Sequence, residues 1–157
     1  MKVQDAGEAL YIACEMERRA IRLYERALAV FADGPCQAAI RAILSDERHH
    51  LEQFTAMGAQ SPGFERAQLL SAQAAQVLFS GGLVEAQRKG AFESAGRLYA
   101  FAAEEEKDAI RCYGEFAAQL SGSAAAAFLA IQLEEKQHLS KLNALGAQEA
   151  VDAMLED

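Results

Sequence analysis

Asp46-Glu47-Arg48-His49-His50-Leu51 carries a carboxylate and an imidazole three residues apart, Glu47 and His50. On a helix that spacing puts both side chains on one face about one turn apart, where they can grip a single hard or borderline metal ion. Alone the pattern is weak, because surface helices produce Glu-x-x-His by chance. The chain says it twice. Glu134-Glu135-Lys136-Gln137-His138-Leu139 sets Glu135 and His138 in the places of Glu47 and His50.

The repeat extends outward from these motifs. Ile43, Glu47, His50, Phe54 and Met57 answer to Ile131, Glu135, His138, Leu142 and Leu145, and Gly58-Ala59-Gln60 answers to Gly146-Ala147-Gln148. Upstream, the run Glu15 to Tyr24 matches the run Glu104 to Tyr113, so Glu17 pairs with Glu106 and Tyr24 with Tyr113. Leu10, Glu17, Tyr24 and Phe31 recur every seven residues, as do Tyr99, Glu106, Tyr113 and Leu120. Such stripes mark helix faces. The chain reads as a duplicated helical hairpin.

Helix signals set the expected boundaries. Asp5 followed by Glu8 is a capping-box-like start for a first helix running to about Ala32. Asp33-Gly34-Pro35 breaks it and opens a second helix, which Gly58 stops. Residues 60–90 form a connection too long for a simple antiparallel turn. It is expected to hold a short helix from about Glu65 to Phe79, a break at Ser80-Gly81-Gly82 and a further piece through Gly90. The second hairpin spans 91–146 with its turn at Ser121-Gly122-Ser123, and a tail helix is expected from Ala147 to Leu155. The fold class is all-α: a four-helix bundle with a long crossover between helices two and three and a short C-terminal helix, in one domain over 1–157.

Counting along the helices places the chemistry. Glu17 lies fifteen residues before the turn near Ala32, or ~22 Å of helix rise. Glu47 lies twelve residues beyond Pro35, or ~18 Å, so it returns to the height of Glu17. The second hairpin repeats the count from Glu106 to Glu135. Two hairpins face to face gather Glu17, Glu47, Glu106 and Glu135 with His50 and His138 in one layer on otherwise apolar stripes. Any one of these six, taken alone, reads as readily as a satisfied core residue. Jointly that reading fails, because burying four uncompensated carboxylates costs several kcal/mol apiece. Two divalent cations balance them, and neutral imidazoles complete the shells.

Composition narrows the rest. The chain is 52% hydrophobic and 24% charged, an ordinary globular balance for its 157 residues. A formal charge of −8 at pH 7 argues against a nucleic-acid partner. No apolar run approaches the ~20 residues that span a bilayer, and no signal-peptide h-region is evident at the N-terminus. Cys14, Cys36 and Cys112 form no Cys-x-x-Cys pair and read as reduced core or interface cysteines, with a cytoplasmic location expected.

At the six ligand positions the sequence resembles the ferritin-like superfamily and, within it, the rubrerythrin family. One Glu from each of two helices and Glu-x-x-His from each of two others is the ligand set described for ferritin-like di-metal carboxylate proteins. The resemblance implies two iron ions per chain, with manganese or zinc as alternatives. It implies that Glu17 and Glu106 are terminal or bridging ligands, that Glu47 and Glu135 bridge, and that His50 and His138 cap one ion each. It also implies reduction of hydrogen peroxide or dioxygen, no membrane partner, and a homodimer. Full-length rubrerythrins add a rubredoxin-like domain on two Cys-x-x-Cys pairs; none is present here, so electrons are expected from a separate donor such as a rubredoxin. The further carboxylate that rubrerythrins carry one turn beyond the helix-three Glu is Ala109 here, the repeat partner of Ala20.

Around the ligands the residues admit two readings each. Tyr24 and Tyr113 are catalytic candidates, as hydrogen-bond donors or redox-active phenols beside the metals, or they are aromatic core. Asp46 and Glu134 either accept a hydrogen bond from the far histidine or are solvated helix charges. His49, turned about 100° from His50, reads as a surface residue. Arg18, Arg19, Arg22 and Arg111 read as solvated faces or ion pairs. Two other functions stay open beside the peroxidase: a ferroxidase or iron-handling protein, and a structural bundle stapled by metal without turnover.

Overall fold

The computed structural model describes residues 1–70 and 82–156. Among these the regular structure is helical: α1 (Ala6–Val30), α2 (Gln37–Gly58), α3 (Gly82–Arg88), α4 (Ala95–Gln119) and α5 (Gly122–Glu156). Residues 64–70 are also helical. The remainder of the helix expected to Phe79, and the Ser80-Gly81 break, lie outside the described residues.

Local chemistry explains where the helices begin. The Asp5 side chain accepts from Glu8 N–H at 2.8 Å, and Glu8 reaches back to accept from Gln4 N–H at 2.7 Å. This satisfies amides that a helix start leaves unpaired. Ser94 does the same for α4, accepting from Arg97 N–H. Gln37 in the first turn of α2 donates its side-chain amide to the carbonyls of Leu28 and Phe31, closing the end of α1 from the neighbouring helix. Gly122 takes φ +63° at the α4–α5 turn, a conformation open to glycine.

α1 pairs with α2 and α4 with α5, and the two hairpins meet through α1 with α4 and α2 with α5. The buried stripes follow those expected: Leu10, Glu17 and Tyr24 on α1, Tyr99, Glu106 and Tyr113 on α4, and the two Glu-x-x-His faces on α2 and α5, while Phe31, Met57, Leu120 and Leu145 at the stripes' ends are only partly buried. The core falls into two apolar clusters. One holds Leu23, Ile40, Ile43, Leu44, Leu98 and Leu142; the other holds Leu10, Phe54, Tyr113, Phe116, Phe128 and Ile131. In α1 the residue between Cys14 of the second cluster and Leu23 of the first that is buried and charged is Glu17. The polar layer therefore lies between two apolar ends, which shield it from water along the helix axes.

One boundary differs from expectation. Gly58 ends α2, but Gly146 does not end α5, and the expected tail helix is the unbroken continuation of α5 to Glu156. The same Gly-Ala-Gln follows both motifs, so the outcome is set by what comes next. Ser61-Pro62-Gly63 cannot continue a helix, whereas Glu149-Ala150-Val151 can, and an isolated glycine costs only ~1 kcal/mol.

Candidate metal centre

Glu17, Glu47, His50, Glu106, Glu135 and His138 are the buried polar side chains among the described residues, each 1–3% exposed. They form two groups, Glu17–Glu47–His50–Glu135 and Glu47–Glu106–Glu135–His138, that share Glu47 and Glu135. In each group one donor atom per residue lies within 4.8 Å of the others, a spacing at which a single cation can reach all four. All six residues expected from sequence thus meet in one layer.

The imidazoles face inward through Nδ1. His50 Nδ1 stands 3.1 Å from Glu47 Oε2, 3.2 Å from Glu135 Oε1 and 3.6 Å from Glu17 Oε2. His138 Nδ1 stands 3.0 Å from Glu135 Oε2, 3.7 Å from Glu47 Oε1 and 3.8 Å from Glu106 Oε2. The outer nitrogens cross between hairpins: His50 Nε2 bonds Glu134, and His138 Nε2 bonds Asp46 at 2.9 Å. Asp46 and Glu134, about half exposed, are therefore both solvated and hydrogen-bonded. Each fixes its histidine so that Nδ1 offers a lone pair to the centre once deprotonated.

The tyrosines also cross. Tyr24 O–H donates to Glu106, and Tyr113 O–H donates to Glu17 Oε1 at 2.6 Å. Both phenols are fully buried, and burial together with the neighbouring carboxylates holds their pKa well above the ordinary value. They are core aromatics and hydrogen-bond donors to the layer's carboxylates at once. His49 is exposed and donates to the Ser45 carbonyl, away from the layer.

Crowding sets the protonation of the metal-free layer. Burial, then the charges of Glu17 and Glu135, pushes Glu47 well above the carboxylate range. Burial and then Glu17 raise Glu135 to about 8. Burial disfavours charge on the histidines, but carboxylate hydrogen bonds outweigh it: His50 is raised, by Glu135 foremost, and His138 reaches about 10, by Glu106 foremost. For Glu106, burial is likewise outweighed, by His138, and its pKa falls. At neutral pH both imidazoles carry a positive charge beside an ionised Glu106, while Glu47 and Glu135 keep their protons.

The donor set fits divalent cations. Cations would supply the positive charge that protons otherwise bring, and would satisfy Glu17 Oε2, a buried oxygen with no hydrogen-bond partner among the described residues. Cys14, Cys36 and Cys112 are free and buried and belong to neither donor group. No helix of the described residues is long and apolar enough to cross a membrane.

A cavity of about 20 Å³ opens beside the layer between α1 and α4. Its floor is Glu17, Leu23, Tyr24, Glu47, Glu106, Tyr113 and Glu135, all buried; its rim is Met16, Arg19, Ala20, Glu105 and Ala109, all partly exposed. Sequence reading missed this opening, because Glu105 answers to Met16 in the repeat and Arg19 to Asp108, so the rim breaks the internal symmetry. The one visible signal was the small side chain at both Ala20 and Ala109. Comparison with protein-family models, curated proteins and solved structures returns no match to this chain.

Proposed function

We propose that this chain is a ferritin-like protein of rubrerythrin type, a four-helix bundle that holds two iron ions and reduces hydrogen peroxide, or dioxygen, with electrons from a separate donor. The observation that carries the reading is the pair of donor groups sharing Glu47 and Glu135. Two carboxylates common to both groups suit two ions held side by side, and an oxygen-rich set with one imidazole per ion favours iron or manganese over softer metals. The reduced metal pair would supply two electrons to the O–O bond.

The protein's residues do the remaining work. Glu17, Glu47, Glu106 and Glu135, with the Nδ1 atoms of His50 and His138, would hold the ions, Glu47 and Glu135 being the residues common to both groups. Tyr113 and Tyr24 hold Glu17 and Glu106 in place through their hydroxyls. Glu134 and Asp46 keep the outer histidine nitrogens protonated and the rings aimed inward. The flanking apolar clusters exclude water from above and below. The cavity of about 20 Å³ has room for one water-sized molecule. That leaves no space for an organic substrate awaiting hydroxylation and favours the smallest oxidants.

The test is to load the protein anaerobically with Fe(II), measure metal per chain, and follow oxidation by peroxide and by dioxygen in separate stopped-flow experiments. Two iron ions and much faster oxidation by peroxide are expected. Faster oxidation by dioxygen, with iron accumulating beyond two per chain, would replace this reading with a ferroxidase. Bound metal inert to both oxidants would leave a stapled bundle.

A further inference from the structure

The buried layer has an opening, and that opening is closed by charge. Ala20 on α1 and Ala109 on α4 stand on the rim, and side chains that short leave a gap between the helices. The Arg19 guanidinium crosses the gap from α1 to Glu105 on α4 at 2.9 Å, with side chains only 15% and 22% exposed. The start of α3 passes near the aliphatic stem of Arg19: a Cβ added at Gly82 would stand 3.5 Å from Arg19 Cγ. Met16 completes the rim. Below lies Glu17, whose Oε2 has no hydrogen-bond partner among the described residues.

We propose that Arg19 and Glu105 form a size-selective gate over the metal layer, which admits molecules of two or three heavy atoms and turns away larger ones. The proposal rests on the reading of the layer as a metal centre. The pair is electrically neutral as a unit, so it presents no net field to a small neutral oxidant. Long side chains change rotamer on fast timescales, and a brief parting of the two head groups is enough for a slender molecule of two or three heavy atoms to slip past Ala20 and Ala109. A ring-sized molecule needs both side chains displaced together. Arg19 and Glu105 act here on access, not on the reacting atoms.

The experiment uses the full chain loaded with cobalt(II), which reports ligand binding by its visible absorption and needs no turnover. Azide, a linear three-atom anion, and imidazole, a five-membered ring, are the probes. In the wild type azide should perturb the cobalt spectrum while imidazole does so at least about tenfold more slowly. Replacing both partners, Arg19→Ala with Glu105→Ala, strands no buried charge and should raise the imidazole rate about tenfold. The swap Arg19→Glu with Glu105→Arg should restore exclusion. As a second test of the same opening, Ala109→Leu should slow azide about tenfold by filling the gap. Imidazole entering the wild type and the double alanine variant equally fast would overturn the gate while leaving the metal centre standing. Unchanged azide entry in Ala109→Leu would overturn it equally, even if the double variant fails to fold. Failure of cobalt to bind would remove the metal centre itself, and the gate with it.

Discussion

The two hairpins place matching residues in the polar layer and diverge on its rim. Glu17, Glu47, His50 and Tyr24 have counterparts in Glu106, Glu135, His138 and Tyr113, and each tyrosine bonds the other hairpin's glutamate. Yet on the rim Met16 stands opposite a repeat partner, Glu105, that is charged, and Arg19 has Asp108 as its counterpart; one Gly-Ala-Gln ends a helix and the other does not. The difference teaches where the constraint lies. Side chains that must compensate one another's burial are held to one geometry, because an unpaired buried charge costs several kcal/mol. Residues a few ångströms further out answer only to local packing and solvent.

The largest effect should come from breaking the shared element. Replacing Glu47 and Glu135 together by Gln should abolish tight metal binding, measured by metal content after dialysis. The same variant should melt higher than the wild type when both are metal-free at pH 9, by about 5 °C. The amide mimics the protonated acid that the crowded layer prefers, and it cannot ionise. A lower melting temperature would mean that the carboxylates are not crowded.

Protonation gives the next effect, and its sign follows from the direction of the shifts. Glu135 is raised from 4.5 to about 8, with Glu47 raised beside it, and His138 is raised from 6.5 to about 10, with His50 raised too. Groups whose folded pKa is raised contribute stability that is complete below their unfolded values and lost as pH climbs through the folded ones. The metal-free protein should therefore lose melting temperature steadily from about pH 5 to pH 10. Glu106, lowered, acts in the opposite direction but below this window. Metal displaces these protons, two from imidazoliums and two from carboxylic acids, so binding at pH 7 should release about four per chain, read by titration in unbuffered solution. Release of one or none would show that the halves do not share one charge-balanced layer.

Much of this was legible in the sequence, for a physical reason. Glu and His on apolar heptad stripes are costly unless they meet, and the repeat doubled every signal, so Glu17, Glu47, His50 and their partners could be set at one height by counting residues. What was not legible had no such penalty behind it. Nothing in the local pattern says that Glu105 reaches Arg19 rather than solvent, because a charged residue on a helix edge is inexpensive either way. The crossing of Asp46 and Glu134 stayed open for the same reason. The continuation of α5 past Gly146 was hidden because glycine is a weak stop, decisive only when the residues after it also resist helix.

Smaller effects sharpen the contrast outside the layer. Glu134→Gln and Asp46→Asn should each weaken one of two metal-binding steps by about 10–100-fold and leave the other nearly unchanged, by calorimetric titration. If either substitution weakens both steps equally, the half-sites are not separately tuned. The two glycines should then respond with opposite signs. A Cβ at Gly58 would lie 2.4 Å from the Phe64 ring, so Gly58→Ala should cost about 1–3 kcal/mol in denaturant unfolding. At Gly146 the nearest outside atom is Tyr99 Cβ at 3.9 Å, so Gly146→Ala should stabilise by about 0.5–1 kcal/mol.

The central claim is that two matched halves hold a pair of cations through shared carboxylates. Anomalous diffraction from crystals grown with manganese(II) or iron(II) tests it most directly. Two peaks ~3–4 Å apart are expected, the separation of binuclear centres, with Glu47 and Glu135 touching both and His50 and His138 touching one each through Nδ1. A single peak, or two peaks at surface carboxylates with the buried layer empty, would contradict it.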